Sequence, residues 1–361
     1  LDLPGKRGRC VRVLSHRIVD EAGNDVVEFH HEGAVDGNDS IVVMLALFPA
    51  GIRVVTGFTP GSYDWDTQKR IVSHVYPLEA PDGAPLFLSA GADIALTTPG
   101  PHPRPRGALF SDNVRHRIGV FNLDTLASHA GGGGLPEGLV RPGLLTTARD
   151  MAAVVCTAPG ELKIALFADT GDATWDWTPV RVIPMPAEAL PTSRWGLTSV
   201  PMLEAIALSR DGTKLVVADT AFKRVRVYNT GDGSPAPDLF ASDKWVTGIR
   251  QTPTGWAFLM EETGDSGFMT YVDDAGNGTP YDPSNVDPFF SFSKEMMSDP
   301  VSNCPKFFLR HDGSVVVRYN SHPANFFTVL SMRAEKARGY APVFARARAT
   351  YDAVREAVAT Y

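Results

Sequence analysis

The residues that could do chemistry are thinly spread. Three carboxylates close apolar runs: Asp112 after Leu109-Phe110-Ser111, Asp169 after Ile164 to Ala168, and Asp219 after Leu215 to Ala218. Placed at equivalent points of a repeat, they would make a ring of negative charge able to hold a cation. An aspartate at a turn also accepts backbone N–H bonds, and repetition favours that structural use. Asp273-Asp274-Ala275-Gly276-Asn277-Gly278 opens like a calcium loop. Asp273 and Asp274 are therefore metal candidates, with calcium as the ion, although the later carboxylates and the closing Glu do not follow. His30-His31-Glu32 is the one histidine cluster. Neighbours on a strand point to opposite faces, so these two imidazoles are poorly placed to chelate together. Tyr63/Trp65 and Trp175/Trp177 could line a sugar groove, but at a period of two each pair also packs as one face of a strand. HExxH, CxxC and GxSxG are absent, so the usual zinc, redox and serine-nucleophile signatures are missing.

The elements that must position these groups are clearest from Leu203 to Asn229. Ala205 to Leu208 reads as a strand. Ser209-Arg210-Asp211-Gly212 is a tight turn, with Asp and Gly supplying the local hydrogen bond and the positive φ. Lys214 to Ala218 is a second strand, Asp219-Thr220 closes it, and Arg224 to Tyr228 alternates basic and apolar residues as a third. A sheet of this kind spans roughly 40–50 residues, the size of a propeller blade.

Echoes of the unit run along the chain. Arg117-Ile118-Gly119-Val120-Phe121-Asn122 matches Arg224-Val225-Arg226-Val227-Tyr228-Asn229. The Trp65 and Trp177 motifs lie 112 residues apart, and the same offset carries Asp169 back to Gly57, so two blades should separate them. Second strands are expected to end near residues 57, 112, 169, 219, 261 and 319, giving six blades, or seven if Ile18 to Phe29 adds a hairpin. The last blade offers three strands, and Cys10 to Leu14 alternates suitably to be its fourth, which would remove the open edge of the ring. Residues 1–332 are then the propeller. After Met332, Phe344, Ala347, Tyr351, Val354, Val358 and Tyr361 recur at helical spacing, predicting an amphipathic helix in 333–361. Packing on the disc is the simpler use of that face. Its other use is partner binding through Phe344, Tyr351, Val354 and Val358.

Composition narrows the partners. The 361 residues carry 34 basic and 41 acidic side chains, a formal charge of −7. Such a balance lacks the basic footprint of a nucleic-acid binder. No apolar run approaches the ~18 residues of a membrane helix. Three cysteines, Cys10, Cys156 and Cys304, give no disulfide framework and fit a reducing compartment, the cytoplasm or a particle assembled there.

The run Ser209-Arg210-Asp211-Gly212, Leu215-Val216-Val217-Ala218-Asp219-Thr220 and Arg224-Val225-Arg226-Val227-Tyr228 resembles the repeat of NHL-type and gluconolactonase-like β-propellers. That resemblance implies a divalent metal in the central channel, held by Glu, Asn and Asp at the inner ends of blades, with an Asp as general base. At the matching positions this chain has Glu204 for an Asn and Thr247 for an Asp. Glu204 could hold a cation, whereas Thr247 cannot act as a carboxylate base. The expectation is therefore an all-β propeller that acts as a non-enzymatic binding or scaffold module for protein partners, as part of a larger assembly such as a virion or organellar complex. Its rivals are a metal-dependent lactonase or hydrolase and a carbohydrate-binding propeller.

Overall fold

The computed structural model describes residues 11–19, 22, 32–35, 41–47, 50–56, 70–72, 74–79, 84–88, 92–97, 106–129, 134–158, 160–169, 175, 177–190, 194–241, 245–252, 255–262, 266–273, 306–309, 315–321 and 324–332. After β1 (Val11–Val19), blade 1 contains β2 (Glu32–Val35), β3 (Ile41–Leu47) and β4 (Ala50–Thr56). The short β5 (Arg70–Val72) leaves that sheet, and β6 (His74–Pro77) completes it. Blade 2 is β7 (Ile94–Thr97), β8 (Gly107–Asp112), β9 (Arg117–Asn122) and β10 (Ala127–His129). Blade 3 is β11 (Val140–Ala148), β12 (Met151–Ala158), β13 (Glu161–Ala168) and β14 (Arg181–Pro186). A two-stranded ribbon follows, β15 (Glu188–Ala189) with β16 (Thr198–Ser199). Blade 4 is β17 (Leu203–Leu208), β18 (Lys214–Asp219), β19 (Arg224–Asn229) and β20 (Pro235–Ala241). Blade 5 shows β21 (Trp245–Thr252), β22 (Gly255–Glu262) and β23 (Ser266–Asp273). Blade 6 is β24 (Lys306–Leu309), β25 (Val315–Ser321) and β26 (Ala324–Met332).

The first strands make a ring. β2 packs on β7, β7 on β11, β11 on β17, β17 on β21, β21 on β24, and β24 returns to β2. Six sheets stacked around a common axis by their innermost strands form a six-bladed β-propeller. β1 pairs antiparallel with β26, from Val11 opposite Met332 to Arg17 opposite Phe326, and β5 lies parallel to β1 on its other side. The closing sheet thus joins residues from both ends of the described chain.

Each interior blade is covered on both faces, so its strands read as near-continuous apolar runs. Period two sorts them. Ala152, Val154 and Cys156 of β12 join Leu109, Ile118 and Val120 of blade 2. Ala153 and Val155 face the other way and meet Ile206, Leu208, Leu215 and Val217 of blade 4. On blade 4, Val216, Ala218, Val225 and Val227 turn to Ile249, Trp256 and Phe258 of blade 5.

Two expected anchors belong to a different strand. Residue 57 follows β4 and residue 169 follows β13, and both strands are third, not second, in their sheets. The 112-residue echo still links equivalent places two blades apart. Ile164 to Ala168 with Asp169 echoes Leu215 to Asp219 because burial on both faces makes second and third strands equally apolar. Ile18, expected in a further hairpin, belongs to β1. The C-terminal helix expected in 333–361 lies outside the described residues.

Candidate functional site

Antiparallel pairing puts the starts of first strands and the turns between second and third strands on one face of the disc, here the upper face. Leu203 at the start of β17 is opposite Asp219 at the end of β18. Asp93, just before β7, is buried. Its Oδ1 accepts the Ile94 N–H at 2.8 Å and its Oδ2 the Leu145 N–H at 3.0 Å. Its own N–H donates to the fully buried Ser111 Oγ at 2.7 Å. Arg250 of β21 supplies the counter-charge. Blades 2 and 5 are three steps apart in a ring of six, so this pair spans the channel. Burial pushes the Asp93 carboxyl up to about 6, against the pull of the two N–H bonds and Arg250. Burial likewise lowers Arg250, and Asp93 opposes that shift. The Arg250 guanidinium is enclosed by protein. Blades 2, 3 and 5 are linked by one carboxylate that accepts two backbone N–H bonds and faces one guanidinium charge.

Glu204 is the bulged residue of β17, skipped between Leu203 opposite Asp219 and Ala205 opposite Ala218. Thr247 is skipped in the same way in β21, between Val246 and Gly248. The two positions matched by resemblance are therefore structurally equivalent. Glu204 is half-buried, and burial alone raises its carboxyl. Among the described residues, the charges acting on Asp93 and Arg250 do not include Glu204. Among the described residues no group of three or more His, Cys, Asp or Glu converges on a cation position. Asp273 ends β23, and Asp274 lies outside the described residues, as do Phe344, Tyr351, Val354 and Val358.

The three repeated aspartates separate. Asp112 and Asp219 share the upper-face turn, and the residue before each following Arg, His116 or Lys223, is left-handed with φ 54° and 52°. Asp169 follows β13 and bonds through its N–H to Asp150 O at 2.7 Å, on the lower face. A three-member ring of carboxylates does not form. Trp175 and Trp177 are buried between blades 2 and 3, stacked at 6.0 Å, with Phe167 edge-on to Trp177 at 5.4 Å. They pack rather than line a groove. Cys156 is buried in the same cluster, and burial pushes its thiol up to about 12.

The most developed polar arrangement holds the ribbon. Arg226 Nη2 lies 2.8 Å from Glu188 Oε1 and 3.1 Å from Asp219 Oδ2. Arg224 also binds Glu188. Both guanidinium groups lie over the Phe222 ring, at 5.0 and 5.6 Å. At the other foot of the ribbon, Met202 N–H donates to Asp219 Oδ1 at 3.3 Å, and Thr220 N–H donates to Met202 O at 2.9 Å. Between these feet several large apolar side chains are exposed. Trp195 is 87% exposed, Leu197 and Met202 57% each, and Val200 36%.

Sequence reasoning did not single out Asp93, Arg250, Glu188 or Trp195. Trp195 had a readable signal: an aromatic within Pro191-Thr192-Ser193-Arg194-Trp195-Gly196, a turn-rich stretch that offers no strand periodicity to bury it. No protein-family model matches the chain, and no curated protein matches its sequence, so the resemblance extends to the propeller architecture and not to a named family. Among solved structures, a chain in the crystal structure of a mitotic checkpoint complex aligns with a TM-score of 0.45 and 9% identity, covering 94% of this chain and 87% of that one.

Proposed function

We propose that this chain is a binding module, a closed propeller that acts as a scaffold and engages a protein partner through its upper face, as a component of a larger assembly. The observation that supports this is the set of exposed apolar side chains between Trp195 and Met202, on a ribbon anchored by the half-buried ionic clamp of Glu188, Arg224, Arg226 and Asp219. Single apolar residues on a surface are ordinary, but four large ones exposed within eight residues, Trp195, Leu197, Val200 and Met202, support an interaction site. A ribbon fixed at both feet loses little conformational freedom when it binds. The channel carboxylate Asp93 is bound up with Ile94, Leu145 and Arg250, which fits a structural duty. The C-terminal stretch carrying Phe344, Tyr351, Val354 and Val358 is a second proposed contact.

Two variants of the immobilised protein test the reading in extract from the native source. Trp195→Ala should lose the partner that the unmodified chain retains, with the same melting temperature. Truncation after Met332 reports separately on the second contact. Retention of every partner by both variants would refute the proposal.

A further inference from the structure

We infer that the ribbon tip, from Arg194 to Met202, docks an acidic partner: a protein segment whose apolar face is edged by carboxylates. This inference rests on the binding-module reading above and specifies the chemistry of the partner. It begins with charge. Ala189 to Leu203 contains one ionisable side chain, Arg194, in a chain whose formal charge is −7. Arg194 is exposed and adjoins the exposed Trp195. Glu188, the nearest carboxylate to Arg194 along the chain, is spent on Arg224 and Arg226, and Glu204, two residues past Met202, is half-buried. The tip is thus a small cationic and apolar spot on an acidic molecule. An acidic partner is repelled by most of the chain and attracted here, which selects the site and orients the encounter.

Residue type and geometry agree. Trp and Arg are the side chains that most often dominate binding energy at protein interfaces. Gly196 turns the chain at the tip with φ 63°, and Leu190 N–H donates to Leu197 O at 2.9 Å to close the turn. The aromatic ring therefore sits beside a left-handed glycine and a backbone hydrogen bond that joins the two sides of the tip. A second copy of the chain is a poorer occupant for the same tip, because tip-to-tip contact would bring two Arg194 cations together with no carboxylate between them.

Two short synthetic peptides test the inference, sharing their Leu and Phe positions and carrying only Glu or only Lys elsewhere. Fluorescence anisotropy with the full chain should show the Glu peptide binding and the Lys peptide failing to bind. Arg194→Glu should weaken the Glu peptide by about tenfold or more, and Arg194→Lys should retain most of its affinity. Trp195→Ala should abolish binding, with an unchanged circular dichroism spectrum. Equal affinity for the two peptides, failure of both, or indifference of the Glu peptide to Arg194→Glu would overturn the acidic assignment. If native-extract capture still depends on Trp195 in those cases, the binding-module reading survives and only the partner chemistry falls. Sedimentation showing a dimer that Trp195→Ala dissolves would overturn the proposal in favour of self-association.

Discussion

Blades 2 and 4 bracket the same upper-face turn with the same pair, Asp112 and Arg117 or Asp219 and Arg224, yet the turns serve different purposes. In blade 2, Asp112 is satisfied by its own sheet: Arg117 Nε donates at 2.8 Å and the Arg115 N–H at 3.1 Å. In blade 4 the register partner of Asp219 is Arg224, but Arg224 turns to Glu188 of the ribbon, and Arg226 reaches Asp219 instead. The cause is a paired exchange one step along. Gly119 of blade 2 corresponds to Arg226, and Phe110, which faces Gly119, corresponds to Val217, which faces Arg226. The Phe110 ring fills the space over Gly119, where an added Cβ would stand 2.0 Å from its Cζ. The smaller Val217 leaves room for a guanidinium. One large and small swap thus converts a self-contained turn into a dock for an insertion.

The largest expected effect comes from emptying the blade 2 arrangement. Phe110→Ala should cost roughly 3–5 kcal/mol in denaturant unfolding, as for other buried aromatics. Gly119→Ala should cost roughly 1–3 kcal/mol by overpacking, and that penalty should largely vanish in the Phe110→Ala background. Additive penalties would mean that the two positions do not share one space.

Breaking the blade 4 arrangement comes next. Arg226→Ala leaves the buried Asp219 without its guanidinium and should cost roughly 2–4 kcal/mol, somewhat below a fully buried pair because some solvent reaches Arg226. Limited proteolysis should then cut within 190–197, while the Arg117→Ala variant, which has no ribbon to release, should stay uncut there. Equal resistance in both variants would show that the clamp does not hold the ribbon.

The two blades also differ where their first strands begin. Asp93 is raised in the folded state to about 6 from 3.8. A carboxyl raised on folding contributes stability that is fully present below its unfolded value and is lost as pH climbs through the folded value. The stability of the unmodified chain minus that of Asp93→Asn should therefore fall between about pH 4 and pH 6, by on the order of 3 kcal/mol. A flat difference would remove Asp93 from the interior. Glu204, at the bulge of blade 4, is half-buried, and Glu204→Gln should shift stability by no more than about 0.5 kcal/mol, toward greater stability at neutral pH.

The same contrast explains what could be read in advance. Strand type, the six-fold count and the alternation of Arg224, Arg226 and Tyr228 follow from period-two patterning and turn residues, which act locally. Strand rank within a blade was not legible from Ile164–Ala168 alone, because a strand covered on both faces looks the same in second or third place. The ribbon leaves no periodic signal for a related reason: its two strands, Glu188–Ala189 and Thr198–Ser199, are two residues each, too short to show a period. The Asp93 and Arg250 pairing joins residues distant in sequence and leaves no pattern in either neighbourhood.

The pairing of β1 with β26 also sets a clock. Val11 waits for Met332, so the sheet that closes the ring cannot form until the 321 residues that follow Val11 have been made. At about 5–20 residues per second, synthesis leaves the first strand without its partner for roughly 15–60 s. An unpaired strand edge is a template for wrong pairing throughout that interval. Contacts of such long sequence separation also slow folding once synthesis ends, because loop-closure entropy is lost before the contact repays it. In the cell, the yield of intact rings should therefore respond to translation speed and to chaperones that shield the amino-terminal strand more than to small changes in the finished core.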